Sequence, residues 1–175
     1  SLTTNAVWSE RQGDWILEHL NGLTVSMDGA PETQDRQRPT ASGRGSSAAV
    51  LRNLERLDGA HFPYGIGMTA LPPFDSLAED VRFLCEHTAC ASIQVEPAFN
   101  RERGRHDYDR SRSDEGFAGA FMAAYEIARA AGRRLHYSGA NPGKAAALFC
   151  FAPVNSLIVR AGGELVSCYE VTSAD

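Results

Sequence analysis

Five short apolar segments alternate with amphipathic helical segments along this chain of 175 residues, and that alternation limits the possible folds more than any other feature. Strands that are separated by helices pair in parallel, because each connection must cross back over the sheet before the next strand begins. The sequence therefore predicts an α/β fold, and we expect a partial (β/α) TIM-like barrel of parallel strands with helices on its outer face. The predicted strands are Thr3–Val7, Leu23–Met27, Tyr64–Ala70, Ala91–Val95 and Arg134–Tyr137.

Serine residues mark the starts of two predicted helices. Ser9 with Gln12, and Ser76 with Glu79, have the spacing of a capping box. The stretch from Glu32 to Ser47 is polar and rich in glycine and serine, so we expect a long loop there.

The last thirty residues follow a different pattern. Ser156–Ala161 and Glu164–Tyr169 are rich in strand-forming residues and flank Gly162–Gly163. Two glycines between such segments are typical of a hairpin turn, because both positions can adopt a positive φ. We therefore expect residues 1–145 to form the partial barrel and residues 146–175 to form a separate region that begins with a β-hairpin.

Composition excludes several classes of protein. The chain has 17 basic and 22 acidic residues, so a net charge of −5 gives it no electrostatic preference for nucleic acid or an anionic membrane. It has no apolar run of membrane-spanning length and no secretory signal pattern, and we expect a cytoplasmic protein. Four cysteines are too few for a disulfide scaffold, and Cys85 and Cys90 are predicted to be packed, reduced thiols.

Polar residues stand at the carboxyl ends of the predicted strands, where barrel enzymes place their working groups. The residues are Asn5, Ser26, Asp28, Thr69, Glu96 and His136. One hypothesis from these positions is a metal-dependent isomerase or hydrolase, with Asp28, Glu96 and His136 as ligands of a hard cation. The other histidines, among them His61, His87 and His106, have no ligand spacing.

Short motifs at these strand ends follow one another in a characteristic order. They are Thr3–Ala6, Thr24–Gly29, Asp35–Arg38, Gly43–Ser46, Leu71–Pro72 and Val95–Pro97. Near the end of the chain come Cys150, twelve residues, Gly163, four residues and Cys168. This series resembles the radical S-adenosylmethionine (SAM) enzymes, in the branch of peptide and protein maturases whose SPASM extension begins with the last of these patterns. Ala6 stands where that branch usually has glycine, and Gln34 where it usually has histidine.

The resemblance implies a chemistry and a set of cofactors. In these enzymes a reduced [4Fe–4S] cluster donates an electron to SAM, and the resulting 5′-deoxyadenosyl radical abstracts a hydrogen atom from a peptide or protein side chain. By resemblance, Asn5, Ser26 and Arg38 contact SAM, and Arg38 is expected to bind its carboxylate in a bidentate manner. Asp28 is expected to orient SAM or the loop that follows it, and Glu96 to face the substrate.

The SPASM pattern implies metal ligands. Cys150 and Cys168 match the first two cysteines of that extension, which bind an auxiliary cluster in the family. Tyr169 follows where sulfatase-maturating members usually carry an aspartate that serves as a base. A tyrosine with a pKa near ~10 is a poor base at neutral pH, so another peptide modification, such as a side-chain crosslink, is favoured over formylglycine formation.

The family's CxxxCxxC cluster motif does not occur in this chain. We therefore expect an internal piece of a longer enzyme that is inactive and cofactor-free by itself, with an exposed sheet edge able to pair with a second copy. The expected partner of the full-length enzyme is a peptide or protein substrate. A second alternative is a non-catalytic peptide-binding module built on a degenerate barrel.

Overall fold

The computed structural model describes residues 2–98, 116–140, 157–159 and 162–166. The chain divides into two compact units, Ser1–Ala140 and Asn141–Asp175. The strands of the first unit are β1 Leu2–Thr4, β2 Leu23–Ser26, β3 Tyr64–Ala70, β4 Ser92–Pro97 and β5 Arg134–His136. Its helices are α1 Glu10–His19, α2 Pro31–Gln37, α3 Ser47–Gly59, α4 Leu77–His87 and α5 Phe117–Ala130.

The five strands of the first unit form one parallel sheet, whose spatial order β1-β2-β3-β4-β5 follows the order along the chain. Val25 lies opposite Ile66, and Ile66 lies opposite Ile93. A sheet whose order never reverses carries its helices on a single face, because every crossover has the same hand. This arrangement is an arc of a TIM-like barrel and confirms the predicted fold class.

The two faces of the sheet differ in chemistry because successive side chains point to opposite sides. One face is apolar and buried, and its side chains share a core with Ile16 of α1, Leu54 of α3 and Leu84 of α4. The opposite face is half-buried and is called the polar face below. The polar face consists of Thr24, Ser26, Gly65, Gly67, Thr69, Ser92, Gln94, Glu96 and His136.

Local signals predicted the helix starts with mixed success. The Ser9 and Gln12 capping box is present at the start of α1. Ser76, by contrast, makes no capping hydrogen bond with its side chain, and Glu79 pairs with Arg82, so the second predicted capping box is wrong. No helix in the described part of the chain is long and apolar enough to span a bilayer.

Two further sequence expectations need correction. The predicted loop from Glu32 to Ser47 contains α2, which begins with Pro31 in its first turn, where the missing N–H of proline costs nothing. Strand β1 ends at Thr4 instead of Val7, because Ala6 adopts a left-handed φ of 54°. That conformation explains why glycine suits this position in the resembled motif.

The described part of the second unit is a β-hairpin. β6, Ile158–Val159, pairs antiparallel with β7, Leu165–Val166, so that Ile158 lies opposite Val166. Gly163 has a φ of 91°, as a tight turn between such strands requires. The hairpin confirms the strand pairing predicted around the two glycines.

Candidate active site

The loops at the carboxyl edge of the sheet are held together by a buried carboxylate. Asp28 follows β2, is 1% exposed, and accepts hydrogen bonds from Arg38 Nε at 2.7 Å and Arg38 Nη2 at 2.9 Å. The backbone N–H of Thr69, in β3, donates to the same carboxylate at 2.9 Å. Arg38 Nη2 also donates to the Thr69 hydroxyl at 3.1 Å. The three residues, called the Asp28 clamp below, tie the β2 loop to the end of β3.

The clamp changes the role expected for Arg38. Its Nε and Nη2 face Asp28 in a fork, so a bidentate contact through those nitrogens is not available to a second carboxylate. Only Nη1 has no partner among the described residues, and the side chain is 35% exposed. A contact between Arg38 and the carboxylate of SAM stays a prediction, restricted to that nitrogen. The contacts of Asp28 tie the loop after β2 to the end of β3, and its expected role in orienting SAM or the loop stays a prediction.

A second buried carboxylate supports the residue after Asp28. Asp80, on α4, accepts hydrogen bonds from Ala30 N at 2.9 Å and from the Thr33 hydroxyl at 3.1 Å. Gly29 has a φ of 135°, and a Cβ at this position would lie 2.2 Å from Asp80 Oδ1. Only glycine therefore allows the loop to pass this close to α4.

Helix α2 is fixed from the inside by a buried amide. Gln34 is 1% exposed; its Oε1 accepts from Asp28 N at 2.8 Å and its Nε2 donates to Ser46 Oγ at 3.0 Å. The Ser46 hydroxyl donates in turn to the carbonyl of Arg38 at 2.6 Å. Gln34 thus stands in the place of the histidine of the resembled motif and satisfies the backbone N–H of Asp28.

The glycine-rich loop leads into the start of α3 beside a third carboxylate. Asp35 accepts from Ser47 N at 2.7 Å and from the Ser47 hydroxyl at 3.0 Å. A Cβ on Gly45 would lie 2.3 Å from Asp35 Oδ2, so this glycine is needed for the close approach. The backbone hydrogen bond from Ser47 holds the pKa of Asp35 below its ordinary value, against the opposing effect of burial.

We expect the Asp35→Asn variant to be less stable than the wild type at pH 7, and the difference to shrink as the pH falls below ~3.9. The folded-state pKa of Asp35 is depressed, so its contribution is present above the unfolded-state pKa and is lost as the pH falls through the folded-state pKa. Urea unfolding at pH 7 and at about pH 3 measures the difference. The exposed Glu32→Gln variant is the control, and a difference that stays constant with pH would contradict the assignment.

The polar face has free space above Gly67 of β3. Gly67 sits between Ser26 on β2 and Gln94 on β4, and a Cβ on it would meet only ordinary contacts, at 3.5 Å to Thr24 Cγ2 and 4.0 Å to Val25 O. Neither backbone conformation nor protein packing requires glycine here. A strand glycine of this kind marks a place where a ligand can approach the backbone. The sequence interpretation missed it, although glycine at alternate positions within a strand was a usable signal.

An open cleft of about 480 Å³ lies at the same edge, lined by Asp28, Arg36, Gln37, Arg38, Thr69 and Leu71. The hydroxyl of Ser26, on the polar face, has no hydrogen-bond partner among the described residues. Asn5 lies beyond the end of β1, where its side chain accepts from Val7 N at 3.1 Å. The structure thus brings Asp28, Arg38 and Thr69 into contact, but not Asn5.

Glu96 and His136 occupy the other half of the polar face. Glu96 Oε1 accepts from Gln94 Nε2 at 2.9 Å and from Ser138 N at 3.1 Å. His136 is half-buried on β5, opposite Gln94, and its Nδ1 is enclosed without a hydrogen-bond partner among the described residues. Burial, aided by Arg134 and opposed by Glu96, lowers the pKa of His136, so the ring is neutral at neutral pH.

The hypothesis of a hard-cation site is wrong for these residues. Both oxygens of Asp28 are committed to Arg38 and Thr69, and residues 2–98 and 116–140 contain no group of three or more potential ligands that includes Glu96 or His136. Cys85 and Cys90 are unpaired thiols whose pKa is raised by burial, as expected for packed cysteines. His61 and His87 are exposed; Cys150, Cys168, Tyr169 and His106 lie outside the described residues.

Solved structures share this fold. Over 98% of its length the chain matches native anSMEcpe, an anaerobic sulfatase-maturating radical SAM enzyme solved with bound AdoMet (SAM) and the Cp18Cys peptide, with a TM-score of 0.71 at 17% identity. A domain of pyruvate-formate lyase-activating enzyme from Bacteroides vulgatus matches 78% of the chain with a TM-score of 0.55 at 14% identity. The matches cover 51% and 79% of those chains.

The chain therefore has the fold of the radical SAM barrel, and the resemblance seen in the sequence is confirmed at the level of fold. It spans about half the length of the sulfatase-maturating structure. No family model and no curated protein matches the sequence.

Proposed function

We propose that this chain belongs to a radical SAM maturase that uses [4Fe–4S] clusters and SAM to modify a peptide or protein side chain. The observation that carries the proposal is the fold match along 98% of the chain to an enzyme that binds AdoMet and a peptide. The motifs at the strand ends support it, because they lie on the edge of the sheet at which such barrels bind their ligands.

The described residues fit SAM in three respects. Gly67 leaves a space on the polar face that a side chain would fill, and Ser26 offers an unpartnered hydroxyl directly opposite it. Arg38 Nη1 supplies a positive group at the cleft for a carboxylate. When bound, SAM and its cluster supply the hydrogen-abstracting chemistry.

The chain's own residues bind and orient. The Asp28 clamp fixes the end of β3, so that the backbone around Gly67 and the hydroxyl of Ser26 keep one arrangement before a ligand arrives. Such preorganisation lowers the entropy lost on binding. We propose that Glu96, on the same face, lies toward the peptide. Tyr169, at the place where sulfatase-maturating members usually carry an aspartate, stays a catalytic candidate, and contact of Asn5 with the nucleoside of SAM stays a prediction.

The test is the Gly67→Val variant of a full-length protein that includes this chain. After anaerobic reconstitution of the clusters and reduction with dithionite, the wild type is expected to convert SAM to 5′-deoxyadenosine. The valine side chain fills the opening on the polar face, so the affinity for SAM should fall by about a hundredfold or more, while the unfolding midpoint changes little. Ser92→Val, on the same face toward the other end of the sheet, is the control. Wild-type protein that forms no 5′-deoxyadenosine would overturn the proposed function.

A separate prediction concerns Cys150 and Cys168 in the same protein. Alanine at either position is expected to remove about four irons, one auxiliary [4Fe–4S] cluster, because thiolates are the natural ligands of such clusters. SAM cleavage without peptide should largely persist, and peptide modification should fall. Iron analysis and peptide mass spectrometry measure the two effects. Cys85→Ala and Cys90→Ala are the controls, since they should change stability alone; equal iron in all four variants would contradict the SPASM assignment.

The alternative is a peptide-binding module without catalysis. It shares the fold, the polar face and the clamp, and it differs in forming no 5′-deoxyadenosine under any condition. The same reconstitution experiment therefore separates the two functions.

A further inference from the structure

We propose that Glu96 and His136 form a subsite on the polar face that binds a hydroxyl or carboxamide side chain of the peptide substrate. The inference deepens the proposed function, on which it rests for the peptide as ligand. Three features of the described residues lead to it: one oriented carboxylate with an accessible oxygen, one neutral histidine ring with an accessible nitrogen, and their position beside the clamp.

The carboxylate of Glu96 has a set direction, and one of its two oxygens has no hydrogen-bond partner among the described residues. Gln94 Nε2 and Ser138 N both donate to Oε1, and these two hydrogen bonds set the direction of the carboxylate. Oε2 has no hydrogen-bond partner among the described residues. Oε2 is not enclosed by the protein, so a bound group that donates a hydrogen bond to it can replace water at an acceptor whose direction is already set.

His136 supplies the complementary part. His136 lies on β5, the strand next to that of Glu96. Its register partner on β4 is Gln94, two residues before Glu96. Neighbouring strands lie about 4.8 Å apart, and two residues span about 6.6 Å along a strand. The Cα atoms of Glu96 and His136 are therefore roughly 8 Å apart, so that one small polar group can reach both side chains. Nδ1 is enclosed by protein without a hydrogen-bond partner among the described residues, and the backbone of Ile93 also acts on the ring, whereas Nε2 is not enclosed and is the nitrogen that a ligand can reach. A neutral imidazole can donate or accept.

The chemistry of the pair selects the ligand. A carboxylate oxygen accepts, and a neutral imidazole does either, so the best ligand is an uncharged group that both donates and accepts. Hydroxyl and carboxamide side chains meet that requirement. The facing charged groups are Glu96 on β4 and Arg134 on β5, and the arginine opposes a cationic ligand. Thr69 of the clamp lies directly opposite Glu96 in register, so the subsite adjoins the Asp28 clamp.

The experiment uses the full-length, cluster-reconstituted protein, immobilised with SAM, and a pool of short synthetic peptides of randomised sequence. Mass spectrometry of the retained peptides is expected to show enrichment of Ser, Thr, Asn or Gln at one position. Glu96→Gln and His136→Phe should lower this enrichment by about ten- to hundredfold, the loss expected for a hydrogen bond to a charged or enclosed group. His136→Gln, which keeps a donor and an acceptor, should restore part of it.

The matched control is Ser92→Ala, on the same strand and face as Glu96 but at its other end, which should retain peptides like the wild type. SAM affinity should be unchanged in every variant. The subsite is overturned if the wild type enriches no peptide, if Glu96→Gln and His136→Phe retain the wild-type set, or if SAM affinity falls together with peptide retention. Formation of 5′-deoxyadenosine by the wild type is read separately, so failure of the proposed function is distinguished from failure of the subsite.

Discussion

The Gly29→Ala variant is expected to lose about 3–5 kcal/mol of unfolding free energy. A φ of 135° is accessible almost only to glycine and costs another residue about 1–3 kcal/mol. The added Cβ would also lie 2.2 Å from Asp80 Oδ1 and would displace that carboxylate. Asp80 would then lose its hydrogen bonds to Ala30 N and the Thr33 hydroxyl, at about 1 kcal/mol each.

Gly43→Ala is the matched control, since Gly43 also has a positive φ, of 77°, but no atom within 4 Å of its would-be Cβ. It should lose only about 1 kcal/mol, the backbone part of the cost. Urea unfolding of the two variants and of Gly29→Ala with Asp80→Gly separates the parts, because glycine at position 80 removes the carboxylate and also the Cβ of Asp80, both of which would clash with the added Cβ. Equal losses for Gly29→Ala and Gly43→Ala would show that Asp80 does not pack against the loop.

The Asp28→Asn variant is expected to lose about 2–4 kcal/mol and, in the full-length protein, most of its affinity for SAM. The substitution leaves Arg38 without its countercharge and turns one acceptor oxygen into a donor that faces a guanidinium. Breaking a fully buried ion pair costs about 3–5 kcal/mol, and the value here is lower because the Arg38 side chain is 35% exposed to water.

A double-mutant cycle with Arg38→Met tests the clamp as a unit. Because the two side chains contact each other, the double variant should lose clearly less than the sum of the single losses. Glu32→Gln, an exposed acidic residue on α2, is the control and should change stability by less than about 0.5 kcal/mol. Additive losses in the cycle would contradict a direct interaction between Asp28 and Arg38.

The loop after β2 contributes much of the stability of the candidate site. Asp28 and Gly29 are neighbours in sequence, yet one is held by the β3 end and the other by α4. The loop after β2 is therefore fixed at two points before any ligand binds. Residues that only touch this loop, such as Gln34, act on the site by holding its backbone.

The sequence alone determined the order and type of most elements. The two-residue alternation in β3 and β4 and the helical spacing of apolar residues encode which side chains are buried, and burial is sufficient to predict parallel strands with helices on one face. Short-range signals, such as the Ser9 and Gln12 capping box, were also readable, since both partners lie within one turn. The motifs that resemble radical SAM enzymes placed the candidate site at the carboxyl edge of the sheet, where the structure joins Asp28, Arg38 and Thr69.

Tertiary structure decided what these residues contact. Helix α2 was missed because its two buried residues, Thr33 and Gln34, are polar and give no apolar stripe. Their partners are Asp80 and Ser46, which lie 47 and 12 residues away in the chain. The contacts of Asp28 and Arg38 with Thr69 were not predicted either, because they form only when a crossover brings β2 and β3 side by side. Periodicity in a sequence reports burial, but a hydrogen-bond partner across loops is set by the packing of distant segments.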